Sequence, residues 1–222
     1  MRDLSRKLSA VVLAGLMVAP LLGQAPSATL QSAMEAGVDA PVLLANPGVK
    51  KEIHLTEKQF DAIRTIVKTV YDKYQPEFRK AGRDRDKLEK IGLDSMHETR
   101  DLLETALPDI LKPEQLKRLR QIQTQVNGIA SFKRPEVQKE LKLSARQKDE
   151  VASLGDGLKR DLEELVKGVK PTDTQKLTSA MRKAKELKEA ATRRAVEKLT
   201  DEQQKIWRDL NGPKFDFKPQ KR

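Results

Sequence analysis

The sequence predicts an all-α protein built from elongated helical hairpins, and two observations carry this prediction. Apolar residues recur about every 3.6 residues through long segments, which is the spacing of an amphipathic helix. These stripes include Met96 in residues 85–110 and Met181 in residues 177–196. No segment alternates apolar and polar residues over the length of a strand, so strands are not expected. The aromatic content of 4% favours thin helical layers over a deep core.

The chain aligns with itself at an offset of 88 residues. Residues 46–63 match residues 134–151, and the segment that begins at Leu111 matches the one that begins at Leu199 at the same offset. Two separate segments that share one offset predict a tandem duplication. Identical pairs include Pro47 and Pro135, Val49 and Val137, Leu55 and Leu143, and Gln59 and Gln147. We therefore predict a linker over residues 26–46 and two helical units over residues 47–134 and 135–222.

Residues 1–25 have the layout of a secretory signal peptide. Arg2, Arg6 and Lys7 precede an apolar run, and small residues near Ala25 resemble a cleavage site. The run is shorter and more interrupted than a membrane span of roughly 20 apolar residues. We expect cleavage near Ala25 and a periplasmic or secreted mature chain, with an uncleaved N-terminal anchor as the alternative.

Composition restricts the function further. The chain has no cysteine, which excludes thiol catalysis, iron–sulfur clusters and cysteine zinc sites. The formal net charge of +11 favours acidic partners in a general way. Acidic residues are interleaved with the basic ones and aromatic residues are not, so nucleic-acid binding is not expected. A peripheral contact of the basic runs KRLR and TRRAVEK with an anionic envelope surface stays open.

Each predicted unit contains two similar boxes that we interpret as structural helix starts. In each box a leucine precedes the cap residue, and a glutamine stands three residues after the cap residue. A Thr or Ser hydroxyl caps the helix and the glutamine binds the cap's own backbone N–H, which together form a capping box. In the second box Lys112 replaces the hydroxyl residue, and Pro113 suits the first helical turn. The assigned residues are Leu55, Thr56, Gln59, Leu111, Gln115, Leu143, Ser144, Gln147, Leu199, Thr200 and Gln203.

The sequence offers little material for catalysis. His97 and Glu98 begin like a zinc-protease helix motif, but Asp101 stands where the second histidine is required. The other histidine, His54, is interpreted as a surface residue. No glycine-rich phosphate loop follows a predicted strand, and no histidine is placed to activate a nucleophile. We predict no catalytic, cofactor-binding or metal-binding residues, and a protein that is not an enzyme.

Aromatic residues near the C-terminus are assigned to packing. Trp207 lies at helical spacing from Leu210 and is predicted to be part of the core. Phe215 and Phe217 stand in the tail PKFDFKPQKR, and we interpret them as docking back onto the second unit. Their exposure as a contact for a partner is the alternative.

At its four boxes the chain resembles the Spy/CpxP-like family of bacterial periplasmic helical proteins, which is defined by a Leu-Thr-x-x-Gln motif. The resemblance covers roughly residues 47–212. It implies a helical hairpin fold and an extracytoplasmic location. It also implies binding of unfolded proteins, without ATP, on a concave basic and apolar surface.

The expected function is therefore that of an extracytoplasmic protein that binds unfolded or envelope proteins, with the chaperone role in envelope stress that the resemblance implies. Two units in one chain would form a pseudo-dimer, and the mature chain would be a monomer. Two alternatives stay open. One is a structural or adaptor protein that docks a specific envelope partner, and the other is a metal-linked stress sensor.

Overall fold

A computed structural model of the chain describes residues 37–170 and 172–216. The predicted signal peptide, residues 26–36 of the predicted linker and Phe217 lie outside the described residues. Within the described ranges the chain forms helices joined by short connections and contains no strand. The all-α prediction is confirmed.

Contacts divide the described chain into two compact units. One contains residues 39–119, and the other contains residues 37–38 and 120–216. This boundary lies inside α5, the helix Pro113–Asn127. The sequence alignment instead places the boundary later in the chain, after Arg134. The reason is that residues 129 and 132, which we assigned to the first unit, pack in the core of the second.

The first unit contains five helical segments. They are α1 (Ala40–Ala45), α2 (Pro47–Glu52), α3 (Glu57–Ala81), α4 (Arg85–Ile110) and α5 (Pro113–Asn127), of which α5 continues into the second unit. Helices α3 and α4 pack together as a long hairpin, and α1 packs against α2 and α4.

Helix α1 lies in the segment that the sequence predicts as a linker. Its Ala40, Leu43 and Leu44 side chains are buried, so this part of the prediction is corrected. The physical reason is that α1 contributes apolar surface to the core of the first unit, which a solvated linker does not. Pro41 at the start and Asn46 after the end limit α1 to six residues.

The second unit contains a 3₁₀ helix (Gly128–Lys133), α6 (Pro135–Leu141), α7 (Ala145–Val166), α8 (Thr174–Glu197) and α9 (Asp201–Asn211). Helices α7 and α8 form a hairpin, and the 3₁₀ helix packs against α6, α7 and α8. The rings of Phe132 and Trp207 stack with centroids 4.3 Å apart in the main core. A smaller cluster of Leu162, Val166, Ala180 and Ala184 holds the far part of the hairpin together.

The elements of the second unit follow those of the first in the same order. The 3₁₀ helix, α6, α7 and α9 each begin 88 residues after α1, α2, α3 and α5, and α8 begins 89 residues after α4. This order is what the sequence offset leads one to expect. A common origin of the two units by duplication stays a prediction.

Of the helices that the structure describes, none combines the length and the hydropathy that crossing a membrane requires.

Candidate functional site

Three of the four boxes form a complete capping box at the start of a helix. At α3, the Thr56 hydroxyl accepts a hydrogen bond from the Gln59 backbone N–H (3.3 Å), and Gln59 Oε1 accepts one from the Thr56 backbone N–H (3.0 Å). The same reciprocal pair forms at α7 with Ser144 and at α9 with Thr200. These side chains satisfy backbone donors that the first turn of a helix leaves without a partner.

The box at α5 is half complete. Gln115 Oε1 accepts from the Lys112 backbone N–H at 2.9 Å, as the glutamines of the other boxes do. Lys112 has no hydroxyl to accept from the Gln115 backbone N–H in return. The leucines before the cap residues are buried at Leu111, Leu143 and Leu199 and half-buried at Leu55.

The two boxes of the first unit meet through their glutamines. Gln59 Nε2 donates to Gln115 Oε1 at 2.6 Å and to the Ile110 carbonyl at 2.9 Å. Gln115 Nε2 donates to the Ile53 and His54 carbonyls, each at 2.9 Å, and its side chain is buried. One amide pair therefore joins the starts of α3 and α5 to the ends of α2 and α4. We call it the first glutamine clamp.

The second unit contains the same arrangement. Gln147 Nε2 donates to Gln203 Oε1 at 2.6 Å and to the Lys198 carbonyl at 3.0 Å. Gln203 Nε2 donates to the Leu141 carbonyl at 2.9 Å. This second glutamine clamp joins the starts of α7 and α9 to the ends of α6 and α8.

The sequence analysis places these glutamines correctly at helix starts but does not predict that they pair. A signal for the pairing exists, because the two boxes are 56 residues apart in both units. Equal spacing is what two boxes in mutual contact would require. The arrangement is structural, since each polar atom of the clamp serves a helix end.

A charged network links α3 and α4 farther along the first hairpin. Glu98 accepts hydrogen bonds from the Lys73 ammonium (2.7 Å) and the Tyr74 hydroxyl (2.9 Å). The hydrogen bonds from Lys73 and Tyr74 hold the pKa of Glu98 below its ordinary value, and the bond from Lys73 has the larger effect. The same hydrogen bond raises the pKa of Lys73. The hydrogen bond to Glu98, followed by desolvation, raises the pKa of Tyr74.

One face of α4 changes from buried to exposed along its length. This α4 face consists of residues three or four apart, which is the helical repeat: Leu93, Met96, Arg100, Leu103 and Leu107. Leu103 and Leu107 are fully buried, whereas Met96 is 54% exposed and Leu93 is 47% exposed. The apolar stripe therefore continues beyond the part that the core covers.

The corresponding face of α8 shows the same change. This α8 face consists of Met181, Ala184, Lys188, Ala191 and Ala195, each 88 residues after its counterpart in α4. The three alanines are buried, and Met181 is 60% exposed. The sequence analysis places Met96 and Met181 in apolar stripes, and the structure shows that both are exposed. A stripe shows which side of a helix is apolar and not whether another element covers it.

The α7–α8 hairpin also forms an open groove. Its floor contains Leu165, Leu187 and Ala190, and its edges carry charges of both signs. Asp161 and Glu164 lie on α7, while Lys183, Glu186 and Arg193 lie on α8. A groove with an apolar floor and charged edges suits a polypeptide segment better than a small apolar molecule.

The remaining predicted residues lie apart from these surfaces. Phe215 is half-buried, and its backbone N–H donates to Gln125 Oε1 at 2.9 Å within the second unit, while Phe217 lies outside the described residues. His54 and His97 are both exposed. Within the described ranges, no three side chains of His, Cys, Asp or Glu converge as a metal ion would require.

Comparison of the chain with protein-family models, with curated proteins and with solved structures finds no match. Each unit of the described chain contains a clamped hairpin with exposed large apolar side chains on its second helix, Leu93 and Met96 on α4 and Met181 on α8.

We predict that the two amides of each clamp are energetically coupled. Gln59→Ala and Gln115→Ala should each lower the free energy of unfolding by about 1–3 kcal/mol, because each leaves helix-end groups without partners. The double variant should lose less than the sum of the single variants, by roughly 0.5–1.5 kcal/mol. Urea denaturation of the four proteins measures the coupling. The corresponding four proteins for Gln147 and Gln203 are a matched replicate. Strictly additive losses of unfolding free energy in both sets would contradict the pairing.

We also predict that Lys112→Thr stabilises the protein. A threonine hydroxyl at this position can accept from the Gln115 backbone N–H and complete the box, which is worth about 0.5–2 kcal/mol. The thermal midpoint should therefore rise, as measured by circular dichroism. Lys112→Val, which has nearly the same shape without the hydroxyl, is the control. An equal rise in both variants would show that the cap is not the cause.

A third prediction concerns the Glu98 network. Glu98→Gln should lower the pKa of Tyr74 toward its ordinary value of 10.0, because the phenolate would no longer form beside a carboxylate. The titration of phenolate absorbance measures this shift. Tyr71→Phe in every protein leaves Tyr74 as the remaining tyrosine, since the chain has two. Glu89→Gln, a change of the same kind elsewhere on α4, should leave the titration unchanged, and an unchanged titration in Glu98→Gln would disprove the link.

Proposed function

We propose that this chain is a non-enzymatic extracytoplasmic protein that binds unfolded or partly folded proteins without ATP, as the Spy/CpxP-like resemblance implies. The observation that carries the proposal is the exposure of Leu93, Met96 and Met181 on helix faces whose other apolar residues, Leu103, Leu107, Ala184, Ala191 and Ala195, are buried. Unfolded proteins expose apolar segments, and contact with such side chains removes apolar area from water. The extracytoplasmic location rests on the signal-peptide pattern of residues 1–25.

The chemistry of these side chains suits many clients better than one. Methionine is unbranched and polarizable, so it adapts to partners of different shape, and it is common on surfaces that bind many sequences. Two long hairpins also provide two separate apolar faces within one chain. We propose that the mature chain acts as a monomer, in which the two units supply what a dimer would supply.

Charge supports the same function. Helix α8 carries seven basic and three acidic residues, and the chain as a whole has a formal net charge of +11. A basic surface attracts acidic segments over a distance of about 8–10 Å in physiological salt. Binding through both apolar contact and charge should therefore weaken, but not vanish, when salt is raised.

A second candidate is an adaptor that docks one envelope partner. The groove between α7 and α8 favours this candidate, because its apolar residues are accompanied by charged residues of both signs, acidic ones on α7 and Lys183, Glu186 and Arg193 on α8. Such a pattern selects a partner segment with complementary charges. The two functions differ in client range, which an experiment can measure directly.

The test is suppression of aggregation of two unrelated unfolding proteins by residues 26–222, without nucleotide, at low and high salt. We expect protection of both clients and weaker protection at high salt. Leu93→Ser and Met181→Ser should each weaken client affinity by roughly fivefold, because each removes about 1 kcal/mol of apolar contact. Their thermal midpoints should not change, since both side chains are exposed.

Glu89→Ser and Gln175→Ser are the matched controls, because they change exposed polar residues on the same two helices. These variants should protect as well as the unchanged chain. Protection of neither client would contradict the holding function and favour the adaptor. Protection that Leu93→Ser and Met181→Ser leave intact would show that the clients bind elsewhere.

A further inference from the structure

The sulfur atoms of the described chain lie at its surface. The sequence contains no cysteine and five methionines, and the two methionines within the described ranges are Met96 and Met181. They are 54% and 60% exposed, which makes them the most exposed of the large apolar side chains that the structure describes. The buried hydrophobic residues within the described ranges include no methionine. Chemistry at either sulfur therefore takes place outside the packed interior.

Both methionines occupy positions where a change of polarity leaves the core untouched. Met96 lies seven and eleven residues before the buried Leu103 and Leu107 on the α4 face, beside the exposed Leu93. Met181 lies three residues before Ala184 on the α8 face, and Ala184 is itself buried. Each methionine thus lies on a helix face that is buried farther along, and is itself exposed to solvent.

We propose that Met96 and Met181 are sites of oxidation by peroxide that change the polarity of these two faces while the fold stays intact. The thioether sulfur attacks one oxygen of hydrogen peroxide, an S–O bond forms and the O–O bond breaks. The departing hydroxide takes the proton of the attacked oxygen and leaves as water. Sulfur is oxidised by two electrons to the sulfoxide, and the peroxide is reduced by two.

The structure determines the consequence of this reaction. A sulfoxide is polar, and in a core it would disrupt packing. At Met96 and Met181 the new oxygen stays in water, so the helices keep their hydrogen bonds and the cores their contacts. What is lost is apolar surface on the α4 and α8 faces. Methionine sulfoxide is reduced back by sulfoxide reductases, so the change is reversible in principle.

The experiment treats the full chain with hydrogen peroxide and follows each methionine-containing peptide by mass spectrometry. We expect Met96 and Met181 to gain one oxygen at rates within about threefold of a methionine in an unstructured peptide, because susceptibility follows exposure. The thermal midpoint should shift by less than about 2 °C, as for other surface changes. Binding of a neutral apolar dye such as Nile red should fall.

The variant Met96→Leu/Met181→Leu separates these two sites from the other methionines. It should keep its dye binding after peroxide treatment, whereas the unchanged chain loses part of it. Rates more than about tenfold slower than the free peptide would overturn the proposal, since they would show that the sulfurs are protected. An equal loss of dye binding in the double variant, or unfolding of the oxidised chain, would also overturn it.

The effect of oxidation on client holding rests on the proposed function, whereas the mass, stability and dye measurements do not. If the unoxidised chain fails to protect clients, the proposed function fails and the oxidation sites are still decided by those measurements. If the unoxidised chain protects and the oxidised chain protects equally, the proposed function holds and the link between oxidation and holding is rejected.

Discussion

The structure of each unit depends on one hydrogen-bonded pair of glutamine side chains. In the first clamp, Gln59 and Gln115 bind each other and also serve the ends of α2 and α4. Helix ends leave backbone groups without partners, and burying such a group unpaired costs about 1–3 kcal/mol. Glutamine suits this place because its amide both donates and accepts. Glutamate could complete a capping box, but its carboxylate could not donate to the Ile110 or Ile53 carbonyls.

The lengths of the packed elements explain which parts of the α4 face are exposed. Helix α4 has 26 residues and is about 39 Å long, whereas α1, which packs against it, has six residues and is about 9 Å long. A short helix can cover only a few turns of a long one. Leu103 and Leu107, toward the clamped end, are buried, and Met96 and Leu93 farther along are not. In the second unit the 3₁₀ helix shares its core with Ala191 and Ala195, and Met181 lies beyond it.

The proposed binding of other proteins would use the exposed apolar residues of the two hairpins, Leu93, Met96 and Met181. In the second unit, the larger core lies at the clamped end, and the far part of the hairpin contains the small cluster of Leu162, Val166, Ala180 and Ala184. Regions with few buried contacts open at low free energy, so these parts can adapt to a partner while the clamped ends stay folded. Because Met96 and Met181 lie outside the clamped ends, the proposed oxidation of either side chain changes the surface of a hairpin and leaves the clamps and cores unchanged.

The sequence by itself determined the local features of this protein. Capping depends on residues three apart, so the helix starts at Thr56, Ser144 and Thr200 and the half-complete box at Lys112 could be predicted from single boxes. Helical periodicity gave the absence of strands in the described ranges and the place of Trp207 in the core.

Only the tertiary structure decided which boxes meet, that α1 is buried in the predicted linker, and that Met96 and Met181 are exposed. Each of these depends on groups far apart in the chain. A periodic stripe specifies the apolar side of a helix, but its burial depends on whether a second element is long enough to cover it.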